Sequence, residues 1–435
     1  MSAIAHQLES IVGSGAVIAW EAVEPTPKAC FQSALQPGTQ VSCVVYPNTL
    51  AELMEVVACA QSDRWRMLIC GSGSKLAWGG LATGIDVVIS TARLNRLIDH
   101  AVGDLTVTAE VGIPFAELQE QLAQARQFLA IDPLYPQQAT LGGIVATADT
   151  GALRHRYGGI RDMLIGISMV RADGQLAKAG GRVVKNVAGY DLMKLFTGSY
   201  GTLGIISQVT FRVYPLPEAS RTVVLIGGAT AIAQVTHTLL ASALTPSAVE
   251  LISPHLSQTV GLSSDIGLVV RFQSIAVSVE KQAEQLLQVG EALGLEAVAL
   301  DDAHQSTLWQ ALRKPMESDA QESTILVKLG VVSNQVVNLL DKMSHFIPEG
   351  ACSIHASSGL GLLRCGQEAL PKLMTLRQLC EAHQGFLTVL KAPTEFKQRF
   401  DLWGYNGNAL SLMQKLKDQF DPNQLLNPQR FVSGI

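Results

Sequence analysis

A run of closely spaced glycines is the feature that most constrains how this chain can fold. Between residues 139 and 204 they fall at Gly142, Gly143, Gly151, Gly158, Gly159, Gly166, Gly174, Gly180, Gly181, Gly189, Gly198, Gly201 and Gly204. Short β-type segments such as 164–171 lie between them. Glycine has no Cβ, so the backbone there can turn tightly and come close to another group. The pattern predicts a strand-rich region in which the main chain, more than the side chains, meets a partner.

Composition narrows the class. At roughly 100–200 residues per domain, 435 residues predict two or three domains. Hydrophobic residues are 48% and charged residues 16%, against about 25% charged in an average protein, so a substantial core is expected and disorder is not. The low charge content points either to a large core or to surface covered by another subunit. The net charge is −5 with no basic stripe, which argues against nucleic acid as a partner. No run of about 18 apolar residues predicts a membrane span, and residues 1–9 lack the basic and apolar regions of a signal peptide. The seven cysteines are scattered with no Cys-x-x-Cys pair. That excludes a zinc ribbon or iron–sulfur motif within the chain and fits free thiols in a reducing cytosol.

Proline and glycine punctuate the rest. A strand is predicted at 41–46, stopped by Pro47, then a helix capped by Thr49 and reaching residue 61. Further strands are predicted at 66–70, 86–90 and 105–111, with Pro114 as the first residue of a helix to about residue 126. A strand at 202–214 ends on Pro215 and Pro217, where the first boundary is placed. Residues 219–392 then spell strand, helix, strand, strand, helix, strand twice, with a helical insertion around Trp309. Two split βαβ units fused into one antiparallel sheet with helices on one face are predicted. The expected domains are 1–217, 218–408, and a segment 409–435 that returns to the first.

Three runs carry chemistry. In Cys70-Gly71-Ser72-Gly73-Ser74-Lys75 a strand feeds a loop whose N–H groups can all point one way, making an anion nest with Ser72 and Ser74 adding hydroxyls. It is neither a Walker loop nor a Rossmann fingerprint, since Leu76 stands where the third glycine belongs. Alone, it fits a phosphate site or an ordinary glycine turn. Gly142 and Gly143 open an apolar helix and fit either a phosphate at its N-terminus or close packing. The third run joins residues 185–192 to the glycine-framed strand entry at 198–206.

Together these motifs resemble the FAD-binding domain of the vanillyl-alcohol oxidase and p-cresol methylhydroxylase family. The match includes Pro47 with its helix, the 71–75 loop, residues 139–143, Arg156-Tyr157-Gly158 with Arg161-Asp162, Asp173-Gly174 and residues 198–204. Residues 184–192, Ala392-Pro393, Asp401-x-Trp403-Gly404 and Leu426-Asn-Pro-x-Arg-Phe431 resemble the FAD-binding E-subunit branch of glycolate oxidases (glycolate dehydrogenases). The resemblance implies an α+β protein: a two-subdomain FAD-binding domain plus an α+β cap with a large antiparallel sheet covered by helices. It implies that Gly71, Ser72, Gly73, Ser74 and Lys75 bind the FAD pyrophosphate with Leu141, Gly142 and Gly143 close by. Gly151, Tyr157 and Gly158 would line the flavin, and Gly204, Ile205 and Ile206 would touch its edge. Apolar Leu141, Ile144 and Ile206 would exclude water from the ring. Residues 72–78 contain neither His nor Cys, so the FAD is expected to be non-covalent. His155, between Arg154 and Arg156, is expected at the surface.

The cap departs from the family. Where 2-hydroxy-acid relatives carry His-x-Gly-Asp-Gly-Asn-x-His, this chain has His355-Ala-Ser-Ser-Gly359-Leu-Gly361, lacking the acid and the second histidine. A later Glu-His-Gly is also missing, and no metal site is expected. A 2-hydroxy acid must lose its hydroxyl proton as hydride leaves. His355 is the candidate base, or else an ordinary strand histidine, and Arg271, Lys328, Arg364 and Lys391 are candidates to clamp a carboxylate. The leading expectation is an FAD-dependent subunit oxidising glycolate or D-lactate. Its partners would be a homologous flavoprotein subunit and an iron–sulfur subunit of a glycolate oxidase complex. It would be cytoplasmic, at the membrane face only through that complex. Two alternatives stay open: a flavin-holding or structural subunit without turnover, and an independent flavoenzyme for another alcohol or sugar.

Overall fold

The computed structural model describes residues 2–181, 190–318 and 324–435, so residues 184–189 of the motif at 184–192 lie outside the described residues. The chain divides into two compact units. One comprises Met1–Thr150, Gly159–Leu216 and Lys397–Ile435; the other comprises Gly151–Gly158 and Pro217–Phe396.

The first unit holds two main sheets. In the four-stranded sheet, Cys43–Val45, Val87–Ser90 and Met67–Cys70 run parallel, and Val17–Ala19 pairs antiparallel at one edge. The helix Leu50–Ser62 buries Leu53, Val56, Val57 and Ala60 in the core beside it. Thr49 caps that helix by accepting from the Glu52 N–H, and Glu52 Oε2 accepts from the Asn48 N–H. Removing the hydroxyl with Thr49→Ala should cost about 1 kcal/mol, read as a lower denaturation midpoint at unchanged cofactor content. Pro114 is the residue before the helix Phe115–Ala123 and not its first residue. Its extended backbone lies in an isolated bridge to Thr140, so helical geometry starts one residue later.

The second sheet is antiparallel, in the order Leu97–Ala101, Thr106–Glu110, Ile205–Arg212, Leu164–Val170, Leu176–Gly180. The C-terminal segment completes this unit from Lys397 onward, earlier than the expected 409. Met67 N–H donates to Leu425 O at 2.7 Å and Asn427 N–H donates to Met67 O at 3.0 Å, so the tail covers the edge of the parallel sheet. Trp403 and Phe431 pack on Tyr200, with ring centroids 4.9 and 5.7 Å away.

The second unit contains one eight-stranded antiparallel sheet. We label its strands β1 (Ala219–Gly227), β2 (Ala248–Ile252), β3 (Ile266–Ser274), β4 (Glu296–Leu300), β5 (Ile325–Gly330), β6 (Ala351–His355), β7 (Leu360–Cys365) and β8 (Phe386–Lys391). Their spatial order is β4-β1-β3-β2-β6-β7-β5-β8. Each half therefore reads fourth, first, third, second, and the halves join where β2 meets β6. Side chains alternate between faces along each strand. Leu225, beneath the helix Ala276–Ala292, points to one face. Thr222 points to the other, where the helix Asp302–Glu317 meets it through Gln305 and Trp309. Helices thus lie on both faces, because the insertion around Trp309 covers part of the second.

Candidate cofactor site and histidine cluster

The strand Met67–Cys70 delivers the chain into the loop 71–75. Among the described residues, the main-chain N–H groups of Ser72, Gly73, Ser74 and Lys75 meet no acceptor; the first bonded N–H of the turn is Leu76, to Gly73 O. Gly73 has φ +91°, in the left-handed region that lets successive N–H groups converge. Four donors in a row, in a loop that is partly buried, call for an anion.

The loop lines a cavity shared with Thr140, Gly142, Gly143, Gly204, Ile205 and Ile206. Its glycines have different reasons to be glycine. A Cβ on Gly71 would lie 2.1 Å from Thr140 Oγ1, and one on Gly142 would lie 2.9 Å from Val111 Cβ, so protein packing alone requires both. A Cβ on Gly143 would meet only Thr140 Oγ1 at 3.5 Å, and Gly143 lines the cavity. Open space for a ligand, and not packing, explains Gly143.

Two side chains of the loop are engaged elsewhere. Ser72 Oγ donates to Gln138 O at 2.5 Å. Lys75 Nζ is paired with Asp149 at 3.0 Å, both buried, although the angle is poor for a hydrogen bond. Its charge is matched within the protein. Cys70 also lines the cavity, but burial pushes its thiol up to about 12, so it is not a nucleophile.

The cationic group at this cavity is Arg430, from the tail. Its guanidinium donates to Gly80 O, Leu76 O and Trp78 O at 2.8–2.9 Å, while its buried Nε has no partner among the described residues. Burial pulls this guanidinium down to about 10, and no carboxylate pairs with it among the described residues. Asn427 supports the same wall: its Oδ1 accepts from Ile69 N–H and its Nδ2 donates to Tyr200 O. A main-chain nest, a buried guanidinium without a counter-ion and an open glycine fit a dinucleotide pyrophosphate. Among the residues present, 72–75, Gly143 and Arg430 are the ones that would hold it.

In the second unit, a polar group sits on the seam of the sheet. Glu250 on β2 lies directly opposite His355 on β6. Glu250 is 3% exposed and accepts hydrogen bonds from His355 Nδ1 and Ser353 Oγ. His155, from the short helix Arg154–Tyr157, is hydrogen-bonded through Nδ1 to Ser357 Oγ at 2.9 Å. Burial pushes the His155 imidazole below its ordinary value; Glu250 opposes this, and His355 and Arg156 add to it. His155 is therefore partly buried, not the surface residue its arginine neighbours suggest. By strand register, Arg271, Lys328 and Arg364 share the face of Glu250 and His355. Arg271 stacks on Trp309 at 4.0 Å and Arg364 donates to Thr324. Lys391 follows a register shift in β8.

A family model described as an FAD binding domain matches residues 41–180, and one described as the C-terminal domain of FAD linked oxidases matches 400–431. These two segments, 172 of the 435 residues, are similar to FAD-linked oxidases. Among curated relatives, it is 25% identical to glycolate oxidase subunit GlcD of Bacillus subtilis (strain 168), across 93% of this chain and 91% of that one. It is 37% identical to glycolate oxidase subunit GlcE of Escherichia coli (strain K12), across 39% of this chain and 48% of that one. A solved structure of p-cresol methylhydroxylase with substrate bound superposes with a TM-score of 0.76 at 14% identity, covering 98% of this chain and 96% of that one. The fold is thus that of the vanillyl-alcohol oxidase and p-cresol methylhydroxylase type, with a cap domain built on a large antiparallel sheet.

The residues singled out by sequence separate into groups. Gly71, Ser72, Gly73, Ser74, Lys75, Gly142, Gly143, Gly204, Ile205 and Ile206 line one cavity. Leu141 is fully buried and is not part of its wall. Gly151, Tyr157 and Gly158 belong to the second unit. Arg430, Glu250 and the setting of His155 escaped sequence reading. Two signals existed: the Asn-Pro-x-Arg run in the tail, and a lone carboxylate in the otherwise apolar segment 248–252. Among the described residues no group of three His, Cys, Asp or Glu is arranged for a metal ion, and no helix is long and apolar enough to cross a membrane.

Proposed function

We propose that this chain is the FAD-binding subunit of a 2-hydroxy-acid dehydrogenase complex acting on glycolate or D-lactate, and that it holds FAD without a covalent bond. The observation that carries the cofactor reading is the run of unbonded N–H groups at 72–75, in a loop that lines the same cavity as Arg430. The absence of His and Cys at 72–78 supports non-covalent binding. Ile206 and the glycine-framed strand entry at Gly204 supply an apolar wall to exclude water. Similarity to glycolate oxidase subunits supports the substrate class and a complex.

Bound FAD would accept the hydride from C2 of the acid. The protein must then take the hydroxyl proton, and His355 is the group proposed to do so. Electrons would pass to an iron–sulfur partner, since no clustered cysteines occur in this chain. The missing acid and second histidine after His355 favour one rival, a flavin-holding subunit whose homologous partner turns over substrate.

The purified chain should be yellow, with a flavin band near about 450 nm that trichloroacetic acid releases into the supernatant; a colourless protein would remove the cofactor assignment. Anaerobic glycolate or D-lactate should bleach that band. A yellow protein inert to both acids would favour the rival.

A further inference from the structure

We infer that Glu250 and His155 complete the proton-accepting site that the sequence around His355 lacks: Glu250 positions His355 so that His355 Nε2 is its free proton acceptor, and His155 is the second imidazole. This rests on the proposed 2-hydroxy-acid chemistry and names the residues that would serve it.

Glu250 and His355 face each other across the seam between β2 and β6, and Glu250 is bound by His355 Nδ1 and Ser353 Oγ. A carboxylate that accepts from Nδ1–H fixes the imidazole tautomer and its orientation. The lone pair is then on Nε2, which has no hydrogen-bond partner among the described residues. A buried carboxylate in a strand is costly unless it is paired. Here the pair is a histidine with its other nitrogen unused, which is the arrangement of a general base and its orienting acid.

The second histidine comes from outside the sheet. His155 is held by Ser357, two residues beyond His355 on the turn that follows β6, and it lies within electrostatic reach of both Glu250 and His355. The acid and second imidazole missing from the segment after His355 are thus brought to it from segments about 100 and 200 residues earlier. In the reaction, the substrate O–H bond breaks and its proton goes to His355 Nε2. A bound FAD would supply the oxidant: the C2–H bond would break with its electron pair passing to it, and C2–O would become a carbonyl, giving the 2-oxo acid.

The test uses the full FAD-loaded chain with Glu250→Gln, which keeps the shape but removes the charge, and His155→Gln. Flavin reduction by saturating glycolate or D-lactate is followed anaerobically, beside the nitrogen-15 spectrum of His355 in substrate-free protein. Glu250→Gln should slow reduction about 100-fold or more with little change in half-saturating substrate. It should also change the His355 resonances from a single Nδ1–H tautomer to a mixture. His155→Gln should slow reduction at least tenfold without altering the His355 tautomer. A Glu250→Gln protein that reduces within twofold of the parent, or a His355 ring that is not Nδ1-protonated in the parent, would overturn the inference. A parent that holds FAD but is bleached by neither acid would overturn the substrate reading, while the tautomer measurement still decides the role of Glu250.

Discussion

Gly143→Asp is expected to give a folded protein that has lost its flavin. The site chooses this residue because a new Cβ there meets nothing nearer than Thr140 Oγ1 at 3.5 Å. The fold should accept the side chain, whereas Gly71 and Gly142 would confound the result through clashes at 2.1 and 2.9 Å. A carboxylate in the cavity would stand against a doubly anionic pyrophosphate. Two like charges about 4 Å apart cost about 4 kcal/mol at an effective dielectric of about 20, so affinity should fall by roughly three orders of magnitude. Flavin content per chain and a titration with free FAD measure this, with Gly143→Ala as the control that keeps the cofactor. If Gly143→Asp binds FAD as the parent does, the pyrophosphate is not in this cavity.

The second large effect concerns the anchor of the tail. Lys417 and Asp421 are both buried and paired at 2.6 Å. The ammonium also donates to Thr202 O and Leu426 O, and the carboxylate accepts from the N–H groups of Leu425 and Leu426. Burial pulls the Lys417 ammonium down from its ordinary value and Asp421 holds it up, so the charge depends on its partner. Asp421→Ala leaves a buried cation uncompensated and should cost about 3–5 kcal/mol. In a chain of this size the melting temperature should fall by about 3–5 °C. Because Leu425–Asn427 cover the edge of the strand that leads into the 71–75 loop, flavin should also dissociate more readily. Lys417→Met combined with Asp421→Ala should recover part of the loss, since no lone charge remains. Calorimetry with and without added FAD checks each of these outcomes.

Much of the architecture was legible because hydrophobic period and turn residues are local. The Thr49 cap, the strands around residues 43–45, 67–70 and 87–90, and the doubled strand–helix order of the cap follow from residues within one segment. So does the antiparallel cap sheet, since each half must bury one apolar face. Charge partners were less legible. Lys75 reads as a phosphate ligand until Asp149 stands beside it, and Ser72 reads as a donor to the cofactor until its hydroxyl meets Gln138. His155 reads as exposed between two arginines until Ser357 receives it.

By itself, the sequence determined where the backbone could form a nest, because glycine at 71 and 73 acts through φ and the missing Cβ, which are properties of the residue alone. It likewise determined the alternation that makes the cap a sheet. Only the tertiary structure decided which charges remain available to a ligand. That depends on burial and on neighbours hundreds of positions away: Arg430 reaches the loop from the tail, and Glu250 meets His355 across a seam that no short window of sequence contains.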